Sequence, residues 1–394
     1  MATCNQIYEL VNEVSSEAFG ETSFKVHDLT DLIAMGQDLS DFGAGTRSDI
    51  FLKTLVDRIA RTLVRTLDFE LEFPEIITDN FSYGCVLQKL SFDIIEATPY
   101  GPTTIGDNDY TPNQFAVHKP SVHQTFFEGS NGWSIDGTIP DNLYNSAFDN
   151  ATNMTAFVDG LMTNMQDSMT LKINDMCRMA VDNFIAEKIY SGKNVVHLLT
   201  DFNHEYDESL TFDDAMKNAE FFRYVSTKMN EYMDFMSKPS KLFNEDGYTR
   251  ATRRDNMHVF LLNALNSRFT TYLQSDTFHK ELVELPLFKK VTFWQSPNGT
   301  TEVEEGGETT TVVNTMPDIL SASTIKIETS AGHEVTQTGV IGAFIDRQAI
   351  GTTLFRKSTS TERNNRDEYT NYSYKCRMGH YNDMSENAII FCVD

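Results

Sequence analysis

The chain has 394 residues, 40% of them hydrophobic, and a formal net charge of -25. That length allows two to three domains with a sizeable core, and the apolar content excludes a disordered chain. The acidity argues against a nucleic-acid reader, which carries a basic footprint.

Cys4, Cys85, Cys177, Cys376 and Cys392 lie far apart with no CxxC pair. This is neither a disulfide framework nor a zinc module, and it fits thiols kept reduced in a cytosol. No apolar run approaches transmembrane length, and the N-terminus lacks the basic region of a signal peptide. A protein made in a cytoplasm is expected, soluble or assembling there.

Residues 1–50 are acidic: Glu9, Glu13, Glu17, Glu21, Asp28, Asp31, Asp38, Asp41 and Asp49 face only Lys25 and Arg47. Helical spacing is confined to Ile7, Leu10, Val11 and Val14, followed by Phe42-Gly43-Ala44-Gly45. An extended arm with one short helix is expected, of the kind that orders on a partner. In residues 50–68, Leu55, Ile59 and Leu63 predict one helical face and Arg58, Arg61 and Arg65 another, although Thr62–Leu67 reads equally as strand.

From 85 to 127 the pattern is β. Leu90, Phe92 and Ile94 alternate with Ser91 and Asp93, and Phe115, Val117, Val122 and Phe126 lie in a second extended run. Pro99, Gly101, Pro102, Gly106 and Pro112 punctuate the segment between them. Together they predict a long hairpin with a wide tip. A two-stranded hairpin alone is marginal in water, so it is expected to lie on something else, such as a neighbouring subunit.

Gly132-Trp133-Ser134-Ile135-Asp136-Gly137-Thr138-Ile139-Pro140-Asp141 ends this region. Asp141 or Asn142 is expected to cap a short helix carrying Leu143, Ala147 and Phe148. From Asn153 to Ile189 runs a long amphipathic stretch. Its apolar residues include Met154, Phe157, Val158, Met162, Met165, Met169, Ile173, Met176, Val181 and Phe184, at steps of three, one or four. A helix of that length spans roughly 50–55 Å and ends near Ser191-Gly192. A strut of this kind suits an assembly protein better than a compact enzyme.

Residues 195–345 read as an α/β unit. Helices are predicted around Asp213–Met236, Asp255–Ser267 and Thr270–Gln274, and strands at Val291–Trp294, Thr324–Glu328 and Gly339–Asp346, with His258–Leu262 ambiguous. The acidic insert between Ser296 and Thr311 predicts an exposed hairpin or loop. The final segment is β: Tyr372, Tyr374, Cys376 and Met378 alternate with polar residues, and Ala388–Val393 is a buried-strand run.

Chemical motifs are scarce. There is no GxGxxG, P-loop, HExxH or GxSxG. His118 and His123 share a β region without a cysteine or carboxylate at metal spacing, so a structural role is preferred. Asp213, Asp214, Glu220 and Asp234 lie on or beside a helix and could supply an acid pair of the glycosidase type, but solvated acids are the simpler reading in so acidic a chain. No catalytic, cofactor-binding or metal site is expected. Bases are locally enriched at Arg58, Arg61 and Arg65, and again at Arg347, Arg356, Lys357, Arg363, Arg366, Lys375 and Arg377. Either run fits a salt-bridged surface or a contact with the acidic arm of a neighbouring subunit. Phe126-Phe127, Phe221-Phe222-Arg223-Tyr224, Phe293-Trp294 and Trp133 are candidate interface anchors.

Three stretches carry a family resemblance: Phe51-Leu52-Lys53-Thr54-Leu55-Val56-Asp57-Arg58-Ile59, the Gly132–Pro140 string with Ala147-Phe148, and Arg377-Met378-Gly379-His380 to Val393. In this order, over essentially the whole chain, the sequence resembles the major capsid proteins of tailed bacteriophages with the Hong Kong 97-type fold, most of all those of small short-tailed phages. The resemblance implies an α+β fold divided into an N-terminal arm (1–60), an extended hairpin loop (61–130), a peripheral domain with a spine helix (131–200), an axial domain (201–345) and a return to the peripheral sheet (346–394).

The resemblance further implies a non-enzymatic shell protein that assembles with itself as hexamers and pentamers in the host cytoplasm. A scaffolding protein, a portal and packaged double-stranded DNA are the implied partners, with no cofactor and no membrane. An encapsulin-like compartment shell and an acidic carbohydrate-active enzyme are the alternatives. Arg58, Arg61, Arg65, Phe126, Phe127, Trp133, Arg363 and Arg366 are the expected inter-subunit contacts.

Overall fold

The computed structural model describes residues 4–20, 25–40, 47, 50–55, 71–78, 86–92, 94–95, 115, 119, 121–128, 131–149, 151–265, 267–268, 289–295, 301–305, 308–312, 319–364 and 366–394. In chain order the elements begin with helices α1 (Cys4–Phe19) and α2 (Leu29–Ser40), strands β1 (Val86–Phe92), β2 (Val122–Glu128) and β3 (Asn131–Pro140), and helices α3 (Asp141–Ala147) and α4 (Ala151–Ser191). Strand β4 (Val195–His197) leads to helices α5 (Leu198–Tyr206), α6 (Phe212–Ala215) and α7 (Ala219–Met236), then β5 (Met257–Leu262), β6 (Lys289–Val291), β7 (Thr301–Glu305) and β8 (Glu308–Val312). Helix α8 (Ile319–Ala322) precedes β9 (Ile325–Glu328), β10 (Glu334–Gln337), β11 (Val340–Asp346), β12 (Ile350–Asn364), β13 (Tyr369–Asn382) and β14 (Ala388–Cys392).

The chain forms two compact units. One comprises Met1–Pro74, Ser130–Met176 and Thr353–Gly379, and the other Glu75–Gly129, Cys177–Thr352 and His380–Asp394.

In the first unit the N-terminal segment is not an extended arm with one short helix. It is two helices, with Val11, Val14, Val26, Leu32, Met35 and Leu39 buried. Asn12 ties Val26 to α1: its side-chain amide donates to Val26 O at 2.7 Å, and Val26 N donates to Asn12 Oδ1 at 2.6 Å. The apolar steps are short and separated by acids, which hides the faces from a reading by composition. Gly36 lies so close to Phe148 that the aromatic side chain occupies the place of a Cβ. Phe51, Leu52 and Leu55 are buried on the predicted helical face, and the Phe51 and Phe148 rings are 5.9 Å apart. Ile59 and Leu63 lie outside the described residues.

The three-stranded sheet has the order β12-β13-β3. β3 and β13 pair antiparallel from Tyr369↔Pro140 to Met378↔Asn131. The two-residue period buries Tyr372, Tyr374, Cys376 and Met378 and turns Asn371, Lys375 and Arg377 outward. α3 starts at Asp141, but neither Asp141 nor Asn142 caps it; Pro140 holds the cap position with no side-chain bond. Asp141 is engaged elsewhere, its N–H donating to Glu368 O at 3.0 Å and its carboxylate pairing with Arg363.

α4 has 41 residues, about 60 Å at the usual rise, a little longer at both ends than the apolar stripe predicts. Met154, Met165, Met169 and Met176 are buried; the side chain of Met162 is outside the described residues. The helix stops where predicted: Gly192 takes φ 65° and donates to Ile189 O at 3.1 Å.

The second unit is built on a mixed five-stranded sheet in the order β4-β14-β11-β5-β6. β11 pairs antiparallel with β14 and β5, while β14–β4 and β5–β6 are parallel. Every residue of β11 and β14 is buried. β5 covers the ambiguous stretch and is a strand; burial on both faces removes the alternation that marks one in sequence. The single helix expected at Asp213–Met236 is two. Thr211 and Asp214 close a capping box on α6, and Asn218 Oδ1 accepts from Glu220 N at 2.8 Å to start α7. Trp294 is wholly buried and donates from Nε1 to Val340 O at 2.7 Å. The acidic insert contains an antiparallel hairpin, β7 with β8. The predicted helix at Thr270–Gln274 lies outside the described residues.

Candidate assembly surfaces

The β1–β2 hairpin is two-faced. Its antiparallel register puts Leu87, Lys89 and Ser91 opposite Phe127, Thr125 and His123, and Leu90 and Phe92 opposite Gln124 and Val122. The first face fastens the hairpin to its own unit. Lys89 Nζ sits 2.5 Å from Asp383 Oδ2 and 2.9 Å from Glu386 Oε1, both carboxylates being almost fully buried. Burial alone would pull the Lys89 pKa down; the two carboxylates outweigh it and raise it. Arg250 Nε lies 3.6 Å from Glu386 Oε2. His123 packs on Tyr248 at 4.3 Å and shares a 3.0 Å hydrogen bond with its hydroxyl, and Phe127 packs on Tyr381 at 5.4 Å.

The other face is apolar and open. Leu90, Phe92, Val122 and Phe126 are 52%, 60%, 53% and 58% exposed, and Ile94 and Ile95 beyond them are exposed too. A contiguous apolar row in water marks a surface that meets something. The alternation of Leu90, Phe92 and Ile94 is visible in the sequence, but which face of the hairpin is covered is not.

The remaining expected contacts separate. Phe126 stands on the open face and Phe127 on the fastened one. Arg363 is half-buried in a 2.6 Å ion pair with Asp141, so its charge is engaged within the subunit. Arg366, Lys375 and Arg377 are exposed. Trp133 is half-buried, and its Nε1 is shielded from solvent with no acceptor among the described residues. Arg58, Arg61 and Arg65 lie outside the described residues, as do the side chains of Arg356 and Lys357. The Phe221-Phe222-Arg223-Tyr224 aromatics are core, not surface anchors: Phe221, Phe222 and Tyr224 are buried, with Phe202 packed edge-on against Phe221 and Tyr224. Phe293 lies under the Arg178 guanidinium at 4.3 Å.

The acids that might have formed a cleft do structural work. Asp214 caps α6, Glu220 sits in the first turn of α7, and Asp234 pairs with Arg254 at 2.6 Å. His123 is an aromatic partner of Tyr248 in the fastened face. Lys188 is fully buried, donates to Met384 O at 3.1 Å and lies 3.4 Å from Glu245; burial lowers its pKa, with Glu245 opposing. Among the described residues there is no group of three or more His, Cys, Asp or Glu able to hold a metal, and no helix long and apolar enough to cross a membrane.

A family model described as Phi29-like phage major capsid protein matches residues 9–392. No curated protein matches the chain. Among solved structures, the chain is similar to one in the capsid structure of Staphylococcus phage Andhra, at 10% identity and TM-score 0.52, covering 83% of this chain and 86% of that one. It is also similar to a chain in the structure of the head fiber and inner core protein gp22 of native bacteriophage P68, at 10% identity and TM-score 0.51, covering 84% and 86%. At such identities the likeness is one of fold.

Proposed function

The chain belongs to the Phi29-like phage major capsid protein family, and on that premise we propose that it assembles as hexamers and pentamers into an icosahedral or prolate head enclosing double-stranded DNA. It is a structural protein of the virion with the α+β Hong Kong 97-type fold. In this reading residues 1–60 serve as the arm, 61–130 as the extended loop, 131–200 with 346–394 as the peripheral domain, and 201–345 as the axial domain. α4 is the spine of the peripheral domain. A scaffolding protein and a portal assist assembly in the host cytoplasm, and the DNA is held by proximity without sequence reading.

The observation that carries this reading is the two-faced hairpin. One face is tied to its own subunit by Lys89, His123 and Phe127; the other offers Leu90, Phe92, Val122 and Phe126 to a neighbour. Identical subunits that close a shell need a contact repeated at every copy, and an apolar row on a reaching element supplies one. Arg366, Trp133 and, beyond the described residues, Arg58, Arg61 and Arg65 are the further contact candidates. Phe127 and Arg363 act from within the subunit.

The test is the double variant Phe92→Asp with Phe126→Asp. Both side chains are exposed, so the monomer folds as before by circular dichroism, while particles that sediment as shells are lost. Undiminished shells would remove the hairpin from the assembly surface.

A further inference from the structure

The two carboxylates that hold Lys89 also face cations from the body of the same unit. Lys89 meets Glu386 on Oε1, while Arg250 Nε lies 3.6 Å from the other oxygen, Oε2. Beside Asp383 stands Lys188 of α4, whose wholly buried ammonium donates to the carbonyl of the next residue, Met384, at 3.1 Å. Lys188 pairs with Glu245 at 3.4 Å, and burial lowers its pKa against the pull of Glu245, Asp383 and Asp246. Each acid of the hairpin's dock thus has a second cation near it that does not come from the hairpin.

The turn that carries these acids is held without the hairpin. Asp383 N donates to Ala349 O at 2.7 Å, Glu245 N to Met384 O at 3.2 Å and Ala388 N to Phe243 O at 2.9 Å. Ser385 N donates to Asp383 Oδ1 at 2.9 Å, and the Asn382 side-chain amide to Ala180 O on α4 at 3.2 Å. The acids therefore keep their places when Lys89 leaves. A buried carboxylate stripped of its cation is strongly destabilising. Here Arg250 and Lys188 remain beside the two that Lys89 would vacate.

We propose that Lys188 and Arg250 are stand-in cations that keep Asp383 and Glu386 balanced when the β1–β2 hairpin lifts off, which makes the hairpin a releasable strap. They act in both states. With the hairpin docked they repel Lys89 and loosen its hold; with it released they alone neutralise the acids. Both effects favour release. Lys188 and Arg250 are positioning residues in this device, acting on the hairpin through the acids they share with Lys89. The inference concerns the subunit alone and does not rest on the shell reading.

Amide exchange of the full-length subunit, read on peptides of β1 and β2 under conditions that leave β11 and β14 protected, tests it. Lys188→Met slows exchange of the hairpin on the order of tenfold, because Lys89 then has Asp383 to itself and release would bare that acid. A Lys188 that only supports the fold gives the opposite sign, since losing a buried ion pair loosens the unit. In an Asp383→Asn background, where the shared acid is gone, adding Lys188→Met leaves hairpin exchange unchanged. Should Lys188→Met not fold, Lys188→Gln removes the charge while keeping a donor for Met384 O, and the same slowing is expected.

Hairpin exchange that is faster or unchanged without the Lys188 charge would overturn the proposal. So would a slowing of equal size in the Asp383→Asn background, which would route the effect around the shared acid. Neither result touches the shell reading, which the Phe92 and Phe126 variants test on assembled particles.

Discussion

At the scale of single residues, Gly339 is fixed by two independent constraints. Its φ of 76° lies in the left-handed region, and a Cβ there would run into the backbone carbonyl of Val393. The glycine carbonyl also accepts from Val393 N at 2.8 Å, so the C-terminal residues cannot leave the start of β11 without breaking that bond. Gly339→Ala is therefore expected to destabilise the second unit by about 2–4 kcal/mol, read as a lower urea midpoint with an unchanged slope. An alanine that leaves the midpoint in place would show that the close approach relaxes freely.

His258 and His380 supply a pH dependence. Burial holds both below the ordinary histidine value, aided at His258 by Arg347. A histidine whose folded pKa is depressed binds fewer protons folded than unfolded. Stability is then full above the unfolded value near 6.5 and falls as pH drops through it. Between about pH 7.5 and 5.5 the denaturation midpoint should decline, and His258→Gln with His380→Gln should flatten that decline. A midpoint that rises on acidification would contradict the assignment.

At the scale of elements, the hairpin depends on contacts that no local pattern reveals. Lys89 and Asp383 are 294 residues apart in sequence, yet they form the central ion pair of the fastened face. Lys89→Met removes the cation and leaves two buried carboxylates, with Arg250 near Glu386 and Lys188 acting on Asp383 without an ion pair to it, a loss of about 3–5 kcal/mol of the kind seen when one partner of a buried pair is deleted. Amide exchange in β1 and β2 should quicken while β11 and β14 stay protected. Equal protection of the hairpin in the variant would mean that the aromatic contacts of His123 and Phe127 suffice.

The elements readable in the sequence are those with one wet face. α4 shows its stripe over many turns, β13 alternates cleanly, and β1 does so at Leu90 and Phe92. β5 is buried on both sides and lost its period, and the break before α7 hangs on one capping side chain, Asn218. The first N-terminal helix shows in the spacing of Ile7, Leu10, Val11 and Val14, while the second is hidden because Leu32, Met35 and Leu39 stand among Asp31 and Asp38 and around Gly36, which weakens a helical pattern. For the candidate surfaces, the basic excess at Lys375 and Arg377 was visible. That Arg363 is neutralised by Asp141 depends on pairing across 222 residues.

At the scale of the molecule, the hairpin is fastened to its own unit by one face and leaves the apolar side chains of Leu90, Phe92, Val122 and Phe126 open on the other, the surface the shell reading assigns to a neighbouring copy. The methionines along α4 suit that task, since a flexible apolar side chain fits slightly different packings without a new rotameric cost. Hexamers and pentamers ask one sequence to accept such differences at equivalent contacts.

The most direct measurement is electron cryo-microscopy of the protein co-expressed with its scaffolding partner. The account predicts closed shells in which this chain occupies rings of six and rings of five, with the open face of each hairpin covered by a neighbouring subunit. A protein that remains monomeric at high concentration under those conditions, or shells in which Leu90, Phe92 and Phe126 face solvent, would contradict it.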